Sequence, residues 1–188
     1  MRIIAGNFKG KKILEPKDNL TRPLKDLTKE SIFNILNHSN KFQINLKNSI
    51  VLDLFSGVGS FGIECISRGS KEVVFGEKYN AVLPILKKNL KSLKLIENYK
   101  IIEKDIYDIA FFTSLEKKFD IIFMDPPYKD KNLSLLLDNI RNNKILNKNG
   151  ILIIHRHKDE KDLIPDKLKV IEEKKYGLSK IIFLSVLD

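Results

Sequence analysis

From residue 49 onward, short apolar runs alternate with longer segments whose apolar positions recur every three or four residues. The run SIVLDLF (49–55) predicts a first strand, and FGIECISRG (61–69) a helix stopped by Gly69. KEVVFGE (71–77) predicts a second strand. NAVLPILKKNLKSL (80–93) predicts a helix with Pro84 in its first turn or at a kink. YKIIEKD (99–105), FDIIFMD (119–125) and GILIIHRH (150–157) predict three more strands. Between them, IYDIAFFTSLEKK (106–118) predicts a helix, and Leu133, Leu136, Leu137 and Ile140 mark the inner face of another. Residues 167–187 predict two strands around a turn at Gly177. No helix separates these two, so they form a hairpin and bring one antiparallel strand to that end of the sheet.

Strand–helix alternation of this kind implies an α/β fold, a doubly wound, mostly parallel sheet with helices on both faces. Ligands in such sheets bind beyond the carboxyl ends of the strands. A different segment precedes this core. RIIAGNFKGKKILEP (2–16) predicts two short strands around Gly6–Gly10. TRPLKDLTKESIFNIL (21–36) predicts a helix with an apolar face of Leu24, Leu27, Ile32, Ile35 and Leu36. Phe33 falls on the opposite side and is expected to pack under the hairpin. A polar stretch (37–49) links this helix to the core, so the expected division is an extension, 1–45, and a core, 46–188.

Composition narrows the class. Hydrophobic residues make up 43% and charged residues 31% of the 188, which fits a soluble globular chain and not a disordered one. No apolar run approaches the ~20 residues of a membrane span. The first residues show no signal-peptide pattern, so a cytoplasmic location is expected. The single cysteine, Cys65, excludes an internal disulfide and a cysteine zinc cluster, and reads as a small buried helix residue. The net charge is +10. Residues 1–50 hold ten basic and four acidic residues, a surplus of six in about a quarter of the chain. That asymmetry points to a polyanionic partner, nucleic acid first.

The loop after the first strand, DLFSGVGSFG (53–62), contains Gly57, Gly59 and Gly62 at the spacing of a dinucleotide site. Small residues here let a ligand approach the backbone and the next helix N-terminus. Asp53 lies four residues before Gly57. A carboxylate there would repel a pyrophosphate but suits a cationic amine or sulfonium. The preferred ligand is therefore S-adenosylmethionine, with NAD the alternative. Glu77 follows the second strand and can accept hydrogen bonds from both ribose hydroxyls of either ligand. Asp105 follows the third strand and can accept from an adenine amine. It also reads as the N-cap of a helix beginning at Ile106.

After the fourth strand comes Asp125-Pro126-Pro127-Tyr128. Two prolines forbid helix and hold a stiff loop. The Asp125 carboxylate and the Pro126 carbonyl are acceptors beside an aromatic plate, a set that suits an exocyclic amine on a planar ring. Holding both N–H groups favours a pyramidal nitrogen, and proton loss follows the transfer.

Together, VLDLFSGVGSFG, VVFGEK, EKD and FDIIFMDPPY resemble the S-adenosylmethionine-dependent amino-methyltransferases. The N-terminal pieces, MRIIAGNFKGKKILEP, TRP and KESIFNIL, resemble the bacterial 16S rRNA guanine-N2 methyltransferases of the RsmD family. The resemblance implies a Rossmann-like, seven-stranded sheet whose last strand is antiparallel. It also implies methylation of one guanine N2 in 16S rRNA of the 30S subunit. The cofactor-binding set becomes Asp53, Phe55, Gly57, Gly59, Glu77, Lys78, Asp105 and Ile106. Asp125, Pro126, Pro127 and Tyr128 hold the guanine amine. Lys9, Lys11, Lys12 and Arg22 contact RNA and roof the site. A monomer is expected, with no metal, no membrane and no DNA partner.

Rival readings fit parts of the pattern. The acceptor pair would also serve adenine N6, cytosine N4 or a protein glutamine. A nicotinamide oxidoreductase would leave Asp125–Tyr128 without a role. A non-catalytic RNA-binding protein would not need Asp53, Glu77, Asp105 and Asp125. His155 and His157, without carboxylate ligands on one face, make a poor metal site and read as non-catalytic, with Arg156 and Lys158 as RNA contacts.

Overall fold

The computed structural model describes residues 1–16, 24–94, 96–127 and 129–187. Five strands follow the expected order: β1 (Ile50–Leu54), β2 (Glu72–Gly76), β3 (Tyr99–Ile102), β4 (Phe119–Met124) and β5 (Leu146–His157). The closing hairpin supplies β6 (Leu168–Tyr176) and β7 (Ser179–Val186). They form one sheet in the order β3-β2-β1-β4-β5-β7-β6. β1 to β5 are mutually parallel, while β7 runs antiparallel to both β5 and β6. The expected fold is therefore present, with the antiparallel strand inserted beside β5 and β6 left at the edge.

Helices α1 (Asp26–His38), α2 (Ser60–Ser67) and α3 (Leu83–Ser92) cover one face. α4 (Ile109–Phe112) and α5 (Leu133–Asn142) cover the other. Each strand feeds both layers by alternation: Val51, Ile121 and Ile153 face the first, Leu52, Ile122 and Ile154 the second. Pro84 sits in the first turn of α3, where its missing N–H leaves no bond broken. α4 is one turn long, against the expected 106–118, and its N-cap is Asp108, whose side chain accepts from the Ala110 N–H. Asp105 instead accepts from the Tyr107 N–H in a turn ahead of the helix.

The N-terminal segment forms a tight antiparallel loop held by an Arg2–Lys12 bridge. It docks on the end of α2. Gly6, at φ 81°, lies so close that a Cβ there would fall 1.9 Å from the Ser67 carbonyl oxygen. The Asn7 N–H donates to that carbonyl, while Glu64 accepts from the Ile4 and Ala5 N–H groups. Around α1, most of the expected apolar face is buried, Leu24, Ile32 and Leu36, but not all of it. Leu27 is 70% exposed, while Lys29 and Phe33 are fully buried. Phe33 stacks on Phe61 of α2, with the Arg68 guanidinium over its ring. Lys29 is accepted there because Glu64 lies 3.7 Å away and the Arg2 carbonyl receives its Nζ.

Candidate active site

The strand order decides which loops share one rim. Leu54 stands opposite both Gly76 and Met124, and Met124 opposite Ile154. The residues that follow these strands therefore emerge side by side. Across the carboxyl rim they run Asp105, Glu77, Asp53 with the glycine loop, Asp125 and His155. From β3 to β4 this is three strand spacings, about 14 Å.

Asp53 ends β1 with 1% of its surface exposed, and its Oδ2 accepts the Gly62 N–H at 2.9 Å. Burial pushes its carboxyl up to about 8; the Gly62 donor opposes this, and the charges of Asp125 and Glu77 add to it. The strand register sets Asp53 at the same rim as Asp125, since Leu54 stands opposite Met124. The chain then turns through Phe55 at φ 57°, a left-handed conformation disfavoured for a bulky residue and found at functional turns. Gly57 and Gly59 follow at φ 53° and 87°. Gly62 lets α2 approach the sheet, since a Cβ there would lie 2.3 Å from the Phe75 ring.

Glu77 is held by the backbone. Its Oε2 accepts from the Gly57 N–H at 2.8 Å, and its Oε1 from the Lys78 and Tyr79 N–H groups at 2.9 and 2.8 Å. A carboxylate offers about four acceptor positions, so room remains for one further donor in this arrangement, against the two hydroxyls expected. Lys78 Nζ bonds Asp105 Oδ2 at 2.7 Å and holds that carboxyl below its ordinary range, with burial opposing. The Lys78 side chain is thus committed to Asp105. Ile106 is buried among Ile102, Phe111 and Phe112.

The Asp125 loop is clamped from β5. His155 Nδ1 lies 2.8 Å from Asp125 Oδ1. Arg156, 1% exposed, donates to the carbonyls of Pro127 at 3.3 Å and Asp130 at 2.8 Å, and pairs with the buried Asp162. Tyr107 OH donates to Asp130 Oδ2 at 2.6 Å. Arg156, expected from the sequence to contact RNA, is therefore buried and not a surface contact. Its guanidinium faces inward because two carbonyls and the Asp162 carboxylate surround it. His155 is the residue that the sequence reading missed. The signal was present: it shares the β5 face of Ile151 and Ile153, one residue past the Met124–Ile154 pair.

Tyr128 and Arg22 lie outside the described residues. Lys9 and Lys12 are exposed on the N-terminal loop, and Lys11 Nζ donates to the Ser92 carbonyl. That segment reaches the rim through Asn89 of α3, which bonds both the backbone of Leu14 and the carbonyl of Val58 in the glycine loop. Among the described residues no group of three or more His, Cys, Asp or Glu is placed to hold a metal ion.

The donor set tests which ligand fits. Buried Asp53 and Glu77 have backbone partners and no basic side chain against them among the described residues. A further anion would be repelled here, and a cation would satisfy Asp53. The residues therefore fit a ligand with a cationic sulfonium and amine end.

Comparison with known proteins agrees. The family described as Conserved hypothetical protein 95 matches residues 1–185. A Haemophilus influenzae protein named ribosomal RNA small subunit methyltransferase D is 32% identical, covering 95% of this chain and 90% of its own. Its namesake from Buchnera aphidicola subsp. Acyrthosiphon pisum is 33% identical, covering 92% and 86%. A solved Haemophilus influenzae chain superposes with TM-score 0.76 at 30% identity, covering 100% of this chain and 98% of that one. A solved Escherichia coli chain does so with TM-score 0.82 at 24% identity, covering 98% and 96%. With nearly its whole length matched in sequence and in fold, the chain belongs to the Conserved hypothetical protein 95 family, the RsmD family that its motifs resemble.

Proposed function

We propose that the chain transfers a methyl group from S-adenosylmethionine to the exocyclic N2 amine of one guanine in 16S rRNA of the small ribosomal subunit. The observation that carries this is the strand register: Leu54 pairs with Met124, so Asp53 near the carboxyl end of β1 and Asp125 directly after β4 lie at the same rim of the sheet. The names of the Haemophilus and Buchnera relatives support the same reaction and substrate.

Asp53, Phe55, Gly57 and Gly59 would hold the amino-acid end of the cofactor, Glu77 its ribose and Asp105 its adenine. When bound, S-adenosylmethionine supplies an electrophilic methyl group on a cationic sulfur. The chain's own part is positioning. Asp125 and the Pro126 carbonyl accept the two N–H groups of the amine and turn its lone pair towards the cofactor. Arg156 already occupies the Pro127 carbonyl, so Pro126 is the backbone acceptor left on the proline pair. Tyr128 stacks on the guanine, a contact worth roughly 1–3 kcal/mol. After transfer the amine is acidic, and Asp125 takes its proton. Orientation of two bound reactants is worth up to ~7–11 kcal/mol, enough for most of the acceleration.

In this reading residues 1–45 contact RNA through Lys9, Lys11, Lys12 and Arg22, and residues 46–188 form the catalytic core. The protein acts as a cytoplasmic monomer on the 30S subunit. No helix among the described residues is long and apolar enough to cross a membrane. The test is methyl transfer from labelled cofactor to 30S subunits lacking the modification, with naked rRNA and DNA in parallel, followed by mapping of the labelled base. Label on guanine N2 of 16S rRNA is expected, with a loss of about 10²–10³-fold in Asp125→Ala. Label confined to DNA or protein overturns the proposal.

A further inference from the structure

We propose that His155 is a positioning residue for Asp125, holding Oδ1 so that Oδ2 is presented to the amine of the substrate. This rests on the methyl-transfer reading above and adds a residue to it.

An ionised carboxylate can only accept, so at 2.8 Å the ring hydrogen lies on Nδ1 and is donated to Oδ1. The ring is 6% exposed, and its Nε2 is buried with no partner among the described residues. A buried N–H left unpaired costs more than a bare lone pair, which favours the same tautomer. The ring is thus oriented by a single polar contact, and that contact is Asp125.

Asp125 needs such a guide. It follows directly on β4, where its backbone N–H makes a long contact of 3.5 Å to the Leu54 carbonyl, and among the described residues its carboxylate has His155 as its hydrogen-bond partner. Its side chain could turn about χ1 and χ2 and offer either oxygen. With Oδ1 engaged by His155 from β5, one oxygen remains free towards the crevice. The rest of the loop is fixed by Arg156 and Tyr107, so the Asp125 carboxylate is the part that His155 alone sets.

The test compares His155→Asn with His155→Gln. Both are polar and both accept burial equally well. An Asn amide can place its N–H group near the Nδ1 position, whereas Gln reaches towards the Nε2 position. We expect kcat for methyl transfer to unmodified 30S subunits to fall ~10–100-fold in His155→Gln and to stay within about fivefold of wild type in His155→Asn. The dissociation constant of S-adenosylmethionine and the melting temperature should be alike in both. Equal kcat in the two variants, whether both high or both low, overturns the proposal. The wild-type arm separates the two readings. If the wild type labels no nucleic acid, the methyltransferase reading falls, and this inference with it. If the wild type is active and the two variants match each other, this inference falls alone.

Discussion

A buried carboxyl with one hydrogen-bond donor and two carboxylate neighbours is costly to ionise, and Asp53 is such a group. Its folded value near 8 lies above the 3.8 of an unfolded chain, so the folded protein binds the extra proton between those limits. Stability from this group is therefore greatest below about pH 4 and is lost as pH rises towards 8. Asp53→Asn should relieve the loss. Its gain in melting temperature should be larger at pH 9 than at pH 5, by on the order of 5 °C. The same variant should bind S-adenosylmethionine poorly. In the wild type, binding at pH 7 should release close to one proton as the sulfonium end meets Asp53. That release appears as a binding enthalpy that varies with the ionisation heat of the buffer, and a buffer-independent enthalpy would refute the pairing. Residue identity alone marked Asp53 as a partner for a cation. Its burial, and the two charges that act on it, come from strands distant in sequence.

At the scale of elements, α2 is where the N-terminal segment and the core meet. Glu64 takes the Ile4 and Ala5 N–H groups and the Arg68 side chain, and balances the buried Lys29 of α1. Glu64→Gln would leave Lys29 with Asp26 at 3.7 Å as its remaining carboxylate, and an unbalanced buried charge typically costs 3–5 kcal/mol. Desolvation already lowers the pKa of Lys29, with Glu64 and Asp26 opposing. Urea unfolding of Glu64→Gln should show a midpoint lowered by that order of energy, and an unchanged midpoint would mean that the cluster holds nothing. The elements themselves were legible where periodicity was long and regular. α5 shows the expected face of Leu133, Leu136, Leu137 and Ile140. α1 and α4 were legible only in part. In α1 the inward face includes a lysine and excludes Leu27, because Glu64 and the Arg2 carbonyl wait on that side. In α4, Asp105 and Asp108 form turns of their own with nearby N–H groups, and one helical turn is what remains.

For the whole molecule, the surplus of positive charge is concentrated at the N-terminal end, where Lys9 and Lys12 are exposed on a loop whose turn packs on the Ser67 end of α2 and whose exit at Leu14 reaches Asn89, which also bonds the glycine loop. If these lysines neutralise phosphates, the double variant Lys9→Ala/Lys12→Ala should bind 30S subunits more weakly at low salt. Its slope of log affinity against log salt should also be shallower by about 1.4–1.8, roughly 0.7–0.9 per phosphate contact removed. An unchanged slope, measured by filter binding over a salt series, would exclude them from the RNA interface. By itself the sequence determined the alternating strands and helices, the seven-stranded sheet with its last strand antiparallel, the glycine loop and the rank of acids at strand ends. The alternation, the closing hairpin, the glycine loop and the acids follow from local periodicity and from which residue types end a strand; the seven-stranded sheet with its last strand antiparallel came with the family resemblance. Only the tertiary structure decided that His155 reaches Asp125, that Arg156 turns inward to hold the proline loop, and that Lys29 is buried. Each of these depends on the side-by-side register of strands or helices far apart in the chain, and periodicity carries no information about which partner waits across the gap.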